Sequence, residues 1–500
     1  MITPKNLGLR SLLLAAPLLG SFPGQAQPTT RVPLSQCIRA ATEKLLSGKF
    51  SAFPKRFEGY AEDTQKGLEA MRNPQTGLIR DKIWIVPRAA AAPQIKVLNN
   101  NTSASNIGLD LLNQVARLQA SPQDESAAKN LDKILTSLTQ ISYHHDTGLF
   151  YSWYSTDAAL TPLNRDVSSV DNAHLALALW TVKESFSQTS WALKAGALVD
   201  RMDFSAFYDK STGLMGGNFL HVGEGWKLEP YRFDNVGSEA RSVYAIPYAL
   251  GLLKKIHESD FARKSVKALN AELFPWKNRG HTYPILKTWD GGAFQLLLPK
   301  LLMNEEKYSP QLAASFKNYA EYILAEGLRR GDPVPAAFSA SNFGVESSTK
   351  FKGVPIYNGQ SGSPDLVNSN HQDIKDPAKR ELWDSVFTPH AALIAATVDP
   401  KRFAQTFRAM ENLGSGTDKL YVPGLGFMDG FHVKGPYKGQ VVPVQLSLDQ
   451  GMIALALNQM KDRDGMSPSA RAISNNPEVQ ERLKYFYELI DRKLAALIHH

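Results

Sequence analysis

The chain carries one cysteine, Cys37, among 500 residues. A single thiol cannot close an internal disulfide, so the apolar core has to supply stability. Cys/His clusters at zinc-ligand spacing are missing, as are a glycine-rich phosphate loop and a basic–aromatic nucleic-acid module. Those gaps argue against the common zinc, nucleotide and nucleic-acid functions, and no cofactor or metal is expected. His144-His145-Asp146 is no exception, because adjacent histidines do not share a helix face or chelate one ion well. Beyond the N-terminal segment no apolar run is long enough to span a bilayer. The net charge of +8 is modest and its basic residues are dispersed, which describes a generic soluble surface better than a polyanion site.

Lys5 and Arg10 lead into the short apolar run from Ser11 to Gly20, and small residues around Gly24-Gln25-Ala26 offer a cleavage site. That pattern is an export signal. The expected organisation is a signal peptide over 1–26, an N-terminal extension over 27–50 and a single catalytic domain over 51–500, monomeric and periplasmic or secreted. About 470 residues then remain to bury one large core.

What the chain does contain is a repeated turn. Asn73-Pro-Gln-Thr-Gly-Leu78 returns as His145-Asp146-Thr-Gly-Leu149 and as Asp209-Lys-Ser-Thr-Gly-Leu214, with 71 and 65 residues between successive glycines. An Asp/Asn-rich approach followed by Gly suits a tight turn. That spacing accommodates two helices, their turns and some decoration. Units of this kind cannot bury their apolar faces alone and must stack. The expected fold is all-α, an (α/α)6 toroid with long loops and short strands at one mouth. Helical periodicity runs over 57–71, 105–118, 127–140, 170–185, 238–255, 293–303, 311–328, 390–398, 403–413, 447–460 and 479–497, with one further helix near Trp191. Three stretches rich in Gly and aromatics or in Ser, Pro and Asn, 216–235, 330–380 and 414–443, read as loops over that mouth.

The segment from Phe233 to Tyr244 carries the sharpest chemical signal. Ser238 would cap the next helix and set Glu239 and Arg241 in its first turn. The helix dipole or a pairing with Arg241 would by itself explain a carboxylate there. Hemmed by Tyr231, Phe233 and Tyr244 at the mouth of a barrel, Glu239 would hold its proton and act as a general acid.

Ser238-Glu-Ala-Arg241, preceded by Asp234-Asn235, resembles the glycoamylase-like family of (α/α) barrels. That family is related to bacterial endo-β-1,2-glucanases and to the transglycosylase module of cyclic β-1,2-glucan synthases. Further similar strings follow in order: Thr288-Trp-Asp-Gly-Gly-Ala-Phe294, Phe338-Ser-Ala-Ser341, Thr388-Pro-His-Ala-Ala-Leu-Ile394, Pro423-Gly-Leu-Gly-Phe-Met-Asp429 and Leu448-Asp-Gln-Gly-Met452. With Phe150 to Tyr154 and Val167 to Asn172 upstream, the resemblance covers about residues 55 to 460. It implies a glycan-active enzyme with Glu239 as its acid. One position departs from the retaining transglycosylases. Where they carry a second glutamate between two serines, this chain has Ala340, which cannot form a glycosyl-enzyme bond. Glu346 could replace it only if its loop folded back.

An inverting hydrolase needs a second carboxylate beyond a water molecule. Asp171 and Asp166 stand at the start of one apolar helix, where capping explains them equally well. Asp449 begins another. The first two are narrowly preferred, and the residues leave the choice open. For the sugar, Trp153, Tyr154, Trp226, Tyr231, Trp289, Phe338 and Phe427 offer flat faces, although ordinary packing uses such rings too. Arg241, Asp290 and Gln450 would bind hydroxyls, and His390 reads as a satisfied helix-start histidine. The expected activity is a glycoside hydrolase acting on a bacterial β-glucan or exopolysaccharide, β-1,2-glucan being the case named by the resemblance. The alternatives are a glycan-binding protein with little or no turnover, encouraged by Ala340, and a glucan transglycosylase. A phosphorylase or lyase is a more distant reading.

Overall fold

Where apolar residues crowd every side of a helix, the helix has to be buried on every side. The stretch from Asn172 to Val182 is buried throughout, as is the whole of Pro389–Ala396. These are interior helices, and polar-faced helices lie against them. The structure is a computed structural model that describes residues 53–86, 93–97, 99–339, 342–345, 355–357, 362–371, 383–435 and 437–498. The expectations for 1–26, 27–50, Cys37, Ala340 and Glu346 lie outside the described residues.

Fourteen α-helices occur among the described residues. They are α1 (Phe53–Met71), α2 (Ala104–Ala120), α3 (Glu125–Gln140), α4 (Ser169–Ser185), α5 (Ser190–Asp200), α6 (Arg241–Ala249) and α7 (Glu258–Ala268). After them come α8 (Ala293–Met303), α9 (Pro310–Arg330), α10 (Pro389–Ala396), α11 (Ala404–Asn412), α12 (Ser447–Lys461), α13 (Pro468–Asn475) and α14 (Pro477–Ile498). Twelve fall where the periodicity places them. The stretch over 238–255 is the main difference, since α6 ends at Ala249 and α7 follows as a separate helix. The two helices that the periodicity does not mark, α7 and α13, are only 11 and 8 residues long.

Packing follows the alternation of buried and polar-faced helices. α2 packs on α4, α4 on α6, α8 on α10, α10 on α12, and α12 back on α2. α1 lies against α12, α3 against α2, and α5 against α4. α14 spans α6 and α7, while α13 touches α2, α4 and α8 together. One continuous apolar cluster runs through all of this.

The three Thr-Gly-Leu turns share one geometry. Gly77, Gly148 and Gly213 have φ of 74°, 66° and 80°, a region open to glycine at little cost. Their N–H groups donate to the carbonyls of Asn73, His144 and Asp209 at 2.9, 2.8 and 2.8 Å. In each, the threonine hydroxyl accepts from the following leucine N–H at 3.3 Å.

Strands are more numerous than an all-α description allows. Every strand pair among the described residues is antiparallel, in sheets of two or three strands. Two are substantial hairpins, Asn218–Val222 with Gly225–Leu228 and Leu273–Asn278 with His281–Leu286. The first pairs onto Val167–Ser168 and so joins the residues that open α4.

Candidate active site

Glu239 lies in the tight turn just before α6, not in the helix. The helix begins at Arg241 and Ser238 does not cap it; the Ser238 hydroxyl accepts from Ala240 N–H at 3.2 Å within the turn. The turn is held from inside by Arg241. Its Nε and Nη2 donate to the two carboxylate oxygens of Glu305 at 2.8 and 2.9 Å. Nη1 donates to the carbonyls of Val236 and Ser238 at 2.7 and 3.3 Å, and Nη2 also reaches Leu296 in α8 at 2.7 Å. All five donors of the guanidinium are used. The expectation that Arg241 binds sugar hydroxyls is therefore corrected: it is the buried strut that sets Glu239 against α8.

Backbone proximity explains what surrounds Glu239. Gly237 sits so close to the next segment that a Cβ would fall 1.6 Å from the carbonyl oxygen of Lys287. That contact brings the Glu239 turn beside Thr288–Asp290. Asp290 is buried and its Oδ1 accepts from Gly292 N–H at 2.7 Å. Asp171 adds a second carboxylate field. Glu239 as a residue keeps some exposure, yet its Oε2 is buried with no hydrogen-bond partner among the described residues. Burial first, then the charges of Asp290 and Asp171, push its carboxyl up to about 8. Burial likewise raises Asp290 to about 6. Glu239 thus holds a proton at neutral pH, beside two acids.

The other expected carboxylates have separate surroundings. The α4 cap is Ser168, whose hydroxyl accepts from Asp171 N–H at 3.3 Å; Asp171 has no capping duty and stays partly open. Asp166 is instead a loop tie, with Oδ1 accepting from His221 N–H at 2.8 Å and Oδ2 from Asn164 at 3.4 Å. Asp449 is buried in the first turn of α12, where burial raises its carboxyl to about 7. His390 Nδ1 lies 3.3 Å from Asp449 Oδ2. Neither ring nitrogen of His390 makes an aligned hydrogen bond among the described residues, so it is not the satisfied histidine the sequence suggested. Burial lowers His390 to about 4 and leaves it neutral.

The aromatics divide. Tyr231 is 43% exposed, stands edge-on to Phe233 at 5.3 Å, and feels the Glu239 charge. Trp289 follows the Gly237 contact, with its ring 4.8 Å from His371. Trp226 packs on His144 and His221 and donates to Arg165 O at 3.0 Å. Trp153 is half-buried on the short strand Trp153–Ser155. Tyr154, Phe338 and Phe427 are core and cannot serve as sugar platforms where they stand. The Tyr154 hydroxyl accepts from Tyr151 N–H and donates to Ser142 O, both at 2.7 Å. Phe338 is 1% exposed, and Phe427 is enclosed by Tyr60 and Tyr421. Gln450 is also fully buried, its amide donating to Phe427 O at 2.8 Å, so it does not reach a sugar either. Tyr244, expected to hem Glu239, is a strut between Phe233 O and Met215 N–H. His144 spends Nδ1 on Thr147 at 2.9 Å, and no group of metal-binding side chains occurs among the described residues. No described helix is long and apolar enough to cross a membrane.

No protein-family model and no curated protein sequence matches the chain. Solved structures do. An endo-β-1,2-glucanase from Talaromyces funiculosus, in complex with sophorose, is similar over 89% of this chain and 90% of its own, with 15% identity and a TM-score of 0.67. A Glu→Gln variant of that enzyme has been solved with β-1,2-glucan. The endo-β-1,2-glucanase of Chitinophaga pinensis is similar over 86% and 97% of the two chains, with 16% identity and a TM-score of 0.62. A Bacteroides uniformis protein assigned as a glucoamylase matches over 86% and 96%, with 15% identity and a TM-score of 0.60. At such identities the likeness is one of fold, and it agrees with the resemblance to the glycoamylase-like family read from the residues.

Proposed function

We propose that the protein is an inverting glycoside hydrolase, exported from the cell, that cleaves a bacterial β-glucan, with β-1,2-glucan as the first substrate to test. In this reading α2, α4, α6, α8, α10 and α12 are the inner helices of an (α/α)6 toroid, and the chemistry sits where their N-terminal ends meet the loops. One observation carries it: Glu239, at a partly open position, has a buried, unpartnered carboxyl oxygen held protonated first by burial and then by the charges of Asp290 and Asp171. A protonated carboxyl at a cleft is what departure of a glycosidic oxygen requires. The fold shared with glucanases supports the substrate class by analogy.

Asp290 and Asp171 lie near enough to Glu239 to keep its proton on, which assigns them to the acid's side. Asp449 is the better base. It opens a different inner helix and is poised near neutral pH, where a general base works best. The second reading keeps Asp171 as base, favoured by its freedom from capping. Tyr231 and Trp289 then present the sugar platforms, and Trp153 and Trp226 lie farther along the glycan.

The test is reducing-sugar release from a panel of glucans, β-1,2-, β-1,3-, β-1,4- and β-1,6-linked, beside a binding assay. Cleavage lost in Asp449→Asn and kept in Asp171→Asn supports the first assignment; the reverse supports the second. Binding without cleavage of any glucan by the unaltered protein would replace the hydrolase with a glycan-binding protein.

A further inference from the structure

His390 and Asp449 stand in the first turns of two inner helices, and a short antiparallel ladder brings those turns together. Val386–Phe387, which leads into α10, pairs with Gly430–His432, and that strand pairs in turn with Val441–Val442. Val444–Leu446 follows, held in register by the strand Lys82–Val86, and runs straight into α12. α10 packs on α12. The backbone thus sets His390 Nδ1 at 3.3 Å from Asp449 Oδ2. His390 is 1% exposed and Asp449 3%.

Both of those atoms lack an aligned hydrogen-bond partner among the described residues. Buried polar atoms are rarely left so. The two are complementary, since a neutral imidazole carries one N–H and a carboxylate oxygen accepts. Only alignment is missing, and a modest turn of the ring about its Cβ–Cγ bond, a soft torsion, can supply it. Hydrogen bonds in active sites are often poorly aligned until substrate closes the site. The other charged groups acting on the two residues are Asp429, Asp81 and Lys82. Asp81 has its own partners: Asn106 and Asn99 each donate to it at 3.2 Å, and the Lys82 ammonium lies 3.5 Å from its Oδ2. No lysine or arginine pairs with Asp449 among the described residues, so a neutral donor is what the fold offers its charge.

Resting on the assignment of Asp449 as base, we propose that His390 is its positioning residue, donating from Nδ1–H to Asp449 Oδ2. The contact fixes the plane of the carboxylate and stabilises its ionised form. Burial holds the imidazole at about 4, below the base at about 7, so His390 orients Asp449 without competing for the proton taken from water.

The experiment compares His390→Asn, His390→Leu and Asp449→Asn on β-1,2-glucan, or on whichever glucan of the panel is cleaved, reading kcat, KM and the acidic limb of the pH profile. In His390→Leu the donor is gone; kcat should fall about 10- to 100-fold at constant KM, the usual worth of a hydrogen bond to a charged group. The limb should also move to higher pH, because a buried carboxylate without its donor is harder to ionise. His390→Asn can place an amide N–H where Nδ1–H stands, and should keep kcat within about fivefold with the limb unmoved. His390→Met, also without a donor, takes the place of the leucine variant if that one does not fold. Equal damage from Asn and Leu, or an unmoved limb in the Leu or Met variant, overturns the positioning role and leaves the hydrolase standing. Undiminished kcat in Asp449→Asn removes the base assignment, and absence of cleavage of any glucan by the unaltered protein removes the hydrolase; each overturns the proposal at its own level.

Discussion

Asp290 is the charged residue that acts most strongly on Glu239. The two are forced together by the contact of Gly237 with Lys287, so their relation is written into the backbone rather than into a flexible pairing. Two carboxyls this close and this dry cannot both be charged at modest cost, and the one with the higher affinity keeps its proton. The general acid of the proposed reaction is kept protonated by burial, and its neighbour adds to that effect.

Removing that neighbour's charge has a definite sign. In Asp290→Asn the repulsion that raises Glu239 is gone, so Glu239 should lose its proton at lower pH. The alkaline limb of the pH–rate profile, expected near 8 in the unaltered protein from the raised Glu239 carboxyl, should move down by about one pH unit. An alkaline limb that stays in place would show that Asp290 does not act on the acid.

Glu239→Gln should keep glucan binding and lower kcat by about two to four decades, the usual worth of a general acid. Binding by calorimetry beside single-turnover rates separates the two. Parallel losses of affinity and melting temperature would make Glu239 a scaffold residue.

The same carboxyl gives a stability signature. Its folded value of about 8 lies above the ordinary 4.5, so its contribution is fully present below about pH 4.5 and is lost as pH rises through 8. Glu239→Gln has no such loss. Relative to the unaltered protein, the variant should gain melting temperature between pH 5 and 9, read by calorimetry across that range. A pH-independent difference would contradict the buried, protonated carboxyl.

Much of the fold was legible because a helix shows in the sequence either as an apolar stripe, as in α3, or as a dense apolar run, as in α4 and α10. The turns were legible because Thr-Gly-Leu encodes both a positive-φ glycine and a hydroxyl that caps the following N–H. Glu239 could be found from its string. The roles of Arg241 and Gln450 could not, since nothing in the sequence tells a surface hydrogen-bonding group from one saturated by Glu305 or by a backbone carbonyl, and Phe338 and Phe427 could not, since a core ring and a sugar platform read alike. Asp290, expected to bind a sugar hydroxyl, could not be read as a neighbour of Glu239, because the two meet across the Gly237 contact.

Arg241 and Glu305 form a fully buried bidentate pair. Breaking it from one side leaves an uncompensated charge in the core, at a cost of about 3–5 kcal/mol. Arg241→Met and Glu305→Gln should each lower stability by that amount in urea denaturation. They should also reduce kcat, because the Glu239 turn loses its strut. Stability within about 1 kcal/mol of the unaltered protein would mean that the turn is held by its backbone bonds alone.

Stereochemistry tests the whole arrangement. If Glu239 is the acid and Asp449 activates water from the other side of the sugar, the product must form with the anomeric configuration inverted. A retaining path would need a carboxylate bonded to the anomeric carbon. The position that supplies one in the resembling transglycosylases is Ala340 here, and alanine has no group to offer. Proton NMR of the first product, recorded before mutarotation, should therefore show the α-anomer emerging from a β-glucan. A β-anomer, or a glycosyl-enzyme trapped by a slow substrate, would refute inversion. Attention would then turn to a carboxylate able to reach the anomeric carbon, with Glu346 the first to substitute.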